Sequence, residues 1–137
     1  MAYGKGGDVC KQADGSSLSN NSASSATVYS NVFTLPLGST FSMHLVWSQT
    51  TATYASVVSL WASNIKGPGL VDDTDWVEMT SEYGFDGFPG LTSGALGTSG
   101  KDFVDVSDSG ALQYRLKFVA SGGAADIQCH VGKKDTK

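Results

Sequence analysis

Cys129 and His130 stand side by side, a thiol next to an imidazole, and the pairing raises the question of nucleophilic catalysis. The residues around them alternate between apolar and polar, which places the pair on a strand. Neighbours on a strand point to opposite faces, so these two cannot work as nucleophile and base. His44 shares its register with Ser42 and reads as a histidine on the polar side of another strand. No G-x-S-x-G elbow is present. Two histidines and two cysteines without short paired spacing give no zinc pattern.

Asp72, Asp73 and Asp75 could offer carboxylates to calcium. The twelve-residue calcium loop is absent, however: Gly84 stands eleven positions after Asp73, and Asp86, eleven after Asp75, is a near miss. The three read as an acidic surface turn. "ALGTSGKD" (95–102) imitates a phosphate-binding loop but carries Ala95 where the first glycine belongs and Asp102 where a hydroxyl should hold magnesium. Trp47, Trp61 and Trp76 could stack on sugar rings, although core or interface packing is the plainer reading. No catalytic residue, cofactor or metal is expected, and the chain does not read as an enzyme.

The elements around these residues are strands. "STFSMHLVWS" sets Phe41, Met43, Leu45 and Trp47 on one face. "ASVVSLWASN" follows a turn at "QTTATY" and carries apolar groups on both faces, as a central strand would. "ATVYSNVFTL", "DWVEMT" and "DFVDVSD" give further strands. "ALQYRLKFVASGGAADIQCHVG" reads as a closing hairpin. Leu112, Tyr114, Leu116, Phe118, Ile127, Cys129 and Val131 form its dry face, with Arg115 and Lys117 on the wet one. No amphipathic helix is visible. The pattern predicts an all-β, antiparallel β-sandwich, jelly-roll or immunoglobulin-like.

Residues 1–25 are polar and read as a flexible N-terminal arm, ordered only by lying on something else. Residues 26–132 form the expected sandwich domain and 133–137 a basic tail. Cys10 falls in the arm and Cys129 on the apolar register, so a buried thiol and a separate one are expected in place of a disulfide. The glycine-rich loop 81–101 carries Tyr83, Phe85 and Phe88. With Trp61, these are the candidate partner contacts.

With 9 basic and 13 acidic residues the net charge is −4, which argues against a nucleic-acid partner. No apolar run is long enough for a membrane helix, and no apolar signal segment follows the first lysine, so synthesis in a cytoplasm is expected.

"LWASN…DTDWVEM", a glycine-rich segment and then "VDVSDSGALQYRLKFVASGGAADIQCHVGKKD" together resemble small β-sandwich structural proteins of tailed bacteriophages. The likeness rests on Ala62-Ser63-Asn64, Asp75-Trp76, Tyr114 and Arg115 (adjacent in this chain) and Ser121-Gly122-Gly123, and covers roughly residues 40–132. The loop at 65–75 is longer than the pattern, and the leader lies outside it. The resemblance implies a virion protein made in the host cytoplasm, such as a capsid decoration (cement), head-fibre or tail component. It implies contacts with the major capsid protein or another virion protein, homo-oligomerisation, with a trimer as one form, and no reaction. A carbohydrate- or receptor-binding module is the alternative.

Overall fold

The computed structural model describes residues 7–34, 39–83, 85, 87, 95–96, 99–106 and 111–135. In chain order the strands are β1 (Gly7–Val9), β2 (Ser19–Asn21), β3 (Thr27–Tyr29), β4 (Ser39–Ser63), β5 (Val77–Glu78), β6 (Ala95–Leu96), β7 (Gly100–Val106) and β8 (Gln113–Asp135). All pairings among them are antiparallel, and among the described residues the fold is all-β apart from a 3-10 turn at Ser81–Tyr83. Two long strands, β4 and β8, pair from Ser39↔Asp135 to Ser63↔Gln113. Along the free edge of β8 lie β1, β2 and β3. Along the free edge of β4 lie β5, β6 and β7.

The apolar phase along both long strands explains their shape. In β4, Phe41, Met43, Leu45 and Trp47 are buried, and then Tyr54, Val58, Leu60 and Ala62. The phase passes from odd to even between Trp47 and Tyr54, where the β4–β8 register shifts around Gln49, Thr51 and Ala55. In β8 it passes from Tyr114, Leu116 and Phe118 to Ile127, Cys129 and Val131, across Ala124 and Ala125, both buried. A one-residue slip turns every later side chain to the other face, so each irregularity keeps the apolar set inside. Ala52 and Gly123 take positive φ here, at 48° and 59°. A Cβ on Gly123 would stand 2.6 Å from the Thr53 carbonyl oxygen, so the close approach needs glycine.

At this point the β4–β8 ribbon doubles back. Phe41 lies near one end of β4, while Tyr114 pairs with Ala62 near the other. A straight strand would hold those ends about 70 Å apart. The Phe41 and Tyr114 rings are 5.1 Å apart, centroid to centroid, with Phe33 against both. The two halves of the ribbon therefore close over one core that also takes in Cys10, Leu18, Val28, Phe85 and Val104.

Three expectations change. The segment 111–132 is not a hairpin: its halves pair with the two halves of β4 instead of with each other. Glycines in a turn and glycines in a bulge look alike in sequence. Leu112, assigned to the dry face, lies before β8 begins and is exposed. The arm expected over 1–25 is, from Gly7 onward, an edge of the sheet, with Cys10, Leu18 and Asn20 buried. Backbone hydrogen bonds to β8 order this segment, and they need no apolar composition. Lys133 and Lys134, in the expected basic tail, pair with Phe41 and Thr40.

Candidate interaction surface

Alternation places Arg115 on the wet face of β8, yet it is fully buried. Its register does point out of the core, toward the loop 65–75, which folds down over it. The guanidinium donates to the carbonyl oxygens of Gly69 (3.3 Å), Leu70 (3.0 Å) and Asp72, and to the Asp73 carboxylate (3.0 Å). It lies between two aromatic rings, 4.2 Å from the Tyr29 centroid and 4.4 Å from that of Trp76. The Trp76 indole N–H donates to Gly69 O at 2.8 Å and pins the loop a second time.

The adjacent wet-face cation is Lys117. It pairs with the other oxygen of Asp73 and lies 5.1 Å over the Trp61 ring, whose indole N–H donates to Ser59 Oγ. The acidic turn thus has internal work to do. Asp73 bridges Arg115 and Lys117, Asp72 Oδ1 accepts from Thr74 N–H, and Asp75 Oδ2 accepts from Gly69 N–H. Burial pushes the Asp73 carboxyl up, but the Lys117 hydrogen bond and charge, with Tyr29 and Arg115, hold it below its ordinary 3.8.

That depression fixes a sign. A carboxylate held below its ordinary value stabilises the fold in full above pH 3.8 and loses that contribution as pH falls through its folded value. The Asp73 side chain is 35 % exposed, so the effect is about 1 kcal/mol or less. Asp73→Asn should lower stability at neutral pH by that amount and flatten the acid limb. Urea unfolding midpoints of both proteins, taken from pH 7 down to pH 3, read this out.

A cleft of about 530 Å³ lies beside the paired ends of β4 and β5. Ala62, Ile65, Trp76, Val77 and Met79 line it, with Asp75 at its polar side. Ile65 and Val77 are more than half exposed, as is Leu112, whose N–H donates to Asn64 Oδ1 beside the cleft. Leu70 and Val71, on the loop over Arg115, are exposed as well, Val71 beside Thr27 and Tyr29 rather than at the cleft. Ile65, Val77 and Leu112 thus form a small exposed apolar group at the cleft. A second, smaller outer-face cluster joins His44, His130 and Phe103.

Of the four residues singled out in the sequence, Phe85 and Trp61 lie in different surroundings. Phe85 is buried in the core. Trp61 is half-buried on the outer face under Lys117. Tyr83 closes the 3-10 turn, and Phe88 lies outside the described residues. The apolar end was missed because Ile65, Val77 and Leu112 belong to no shared period. Among the described residues, no three His, Cys, Asp or Glu side chains gather as a metal site, and no helix is long and apolar enough to cross a membrane. No protein-family model matches the chain, and no curated protein matches it.

Proposed function

We propose that the chain is a non-catalytic structural protein of a tailed-phage virion. In this reading it is a capsid decoration protein that stabilises the head through protein–protein contacts. The observation that carries the proposal is the apolar end formed by Ile65, Val77 and Leu112 around the 530 Å³ cleft. Exposed apolar groups gathered in one place mark surfaces that bind protein. The clamp on Arg115 holds the loop beside that surface in one shape, which lowers the ordering cost of docking. The resemblance of residues 40–132 to small phage structural proteins points the same way, as does the scarcity of charge, at 16 % of residues.

In this proposal the doubled-back ribbon is a β-sandwich of jelly-roll or immunoglobulin-like type. The apolar end meets the major capsid protein, and copies of the chain associate with one another, a trimer being one arrangement. The protein is made in the host cytoplasm and works in the virion.

Light scattering and co-sedimentation with capsid shells test the proposal. A discrete oligomer that co-sediments with shells and raises their melting temperature is the expected result. Val77→Asp, at a position 55 % exposed, should leave the protein's own Tm unchanged while weakening shell binding about tenfold or more. A monomer that ignores shells overturns the reading. Glycan-array binding lost in Trp61→Ala would put the carbohydrate-binding module in its place.

A further inference from the structure

The chain's two cysteines meet in the fold. β1 pairs with β8 through Gly7↔Gly132, Asp8↔Val131 and Val9↔His130, and one step further along the same register Cys10 faces Cys129. The Cys10 N–H donates to the Cys129 carbonyl oxygen at 2.8 Å, and the two thiols are hydrogen-bonded to each other. Both side chains are buried, at 4 % and 0 % exposure. Directly opposed residues on antiparallel strands have Cα atoms about 4.5–5.5 Å apart. That spacing lies inside the roughly 4.4–6.8 Å window a disulfide requires.

We propose that Cys10 and Cys129 are an oxidation site, closing to an intrachain disulfide that staples the first strand of the sheet to the last. Each sulfur loses its proton and one S–S bond forms. The two electrons pass to a small-molecule disulfide such as oxidised glutathione, whose own S–S bond breaks to give two thiols. The reaction runs through a mixed disulfide on one cysteine, which the other then displaces.

The surroundings set the pace of closure. Its hydrogen bond with Cys10, and then burial, push the Cys129 thiol well above its ordinary value, so thiolate is scarce while β1 is in place. β1 is three residues long and sits at the edge of the sheet, so it is an element that opens locally without global unfolding. Oxidation proceeds through that opening, and the product then prevents it.

The experiment uses the full chain, incubated with oxidised glutathione in mildly alkaline buffer, then denatured and its thiols titrated. The expected result is loss of both thiols in a species that stays monomeric on a non-reducing gel. Peptide mass spectrometry should find the Cys10 and Cys129 peptides cross-linked, two hydrogens lighter than their sum. The oxidised protein should melt about 10 °C above the reduced one, because the bond closes a long loop. Cys10→Ser, at the sheet edge, should fold and show no such shift. Two titratable thiols after prolonged oxidation, stable glutathione adducts on each cysteine, disulfide-linked dimers, or a lower Tm in the oxidised form would each overturn the proposal.

Discussion

Arg115→Ala is expected to lower the unfolding free energy by about 3 kcal/mol, from emptying a fully buried site and from stripping loop carbonyls of a charged donor. The substitution leaves the carbonyls of Gly69, Leu70 and Asp72 without their shared donor and takes one of its two cations from Asp73. It also opens a gap between the Tyr29 and Trp76 rings, each of which stacks on the guanidinium. Against a typical total of about 5–15 kcal/mol, a loss of this size is a large share of stability. Arg115→Lys should recover part of it. A lysine keeps the charge near Asp73, but a single ammonium cannot spread donors over three carbonyls and a carboxylate. Urea denaturation of the three proteins decides the matter. A loss below about 1 kcal/mol for the alanine variant would mean that the loop 65–75 is held by something other than this side chain.

Asn20→Ala should be as damaging, at about 3 kcal/mol. Asn20 is fully buried, and its amide makes four hydrogen bonds. Nδ2 donates to the carbonyls of Ser25 (2.9 Å) and Ala26 (3.0 Å), while Oδ1 accepts from Tyr54 Oη (2.8 Å) and Ser56 Oγ (3.0 Å). The side chain thereby ties the β2–β3 connection to the middle of β4, where the ribbon doubles back. Burial pushes the Tyr54 phenol up to about 12, so it remains a donor at neutral pH. Asn20→Asp tests the geometry as well as the volume. A carboxylate keeps the two acceptor contacts but has no N–H for the two carbonyls, so it should fail too. A variant within about 0.5 kcal/mol of the parent by thermal or urea melts would refute the pin.

Both residues show where a reading of the sequence succeeds and where it stops. Alternation in Phe41, Met43, Leu45 and Trp47, and in Tyr114, Leu116 and Phe118, names the inward face correctly, because period and pleat share one geometry. Alternation also assigns Arg115 correctly to the opposite face. It cannot say that a loop forty positions away will cover that face, so a buried arginine looks like a wet one in sequence. Asn20 lies in a polar, serine-rich stretch whose composition gives no sign of burial. Its role depends on Tyr54 and Ser56 arriving from β4. The same holds for Cys10, whose partner stands at the other end of the chain. The apolar end is built from Ile65, Val77 and Leu112, each apolar in isolation and adjacent only after folding. Local pattern reports which way a side chain points, while partners across the sheet come from topology.

The pairing of β4 with β8 also governs the order of events during synthesis. Ser39 waits for Asp135, and even the nearest pair, Ser63 with Gln113, spans fifty positions. β1, β2 and β3 wait as well, since the strand they all join is β8. A nascent chain emerging from the ribosome therefore holds most of its strands before the one that unites them has been made. Loops of this length must close before the β4–β8 contacts reward them, a topology that folds in milliseconds to seconds rather than microseconds. Until then the apolar faces of β4 stay open to other chains. Yield in a cell should thus depend on how quickly the last quarter of the chain is translated and on what shields β4 in the meantime.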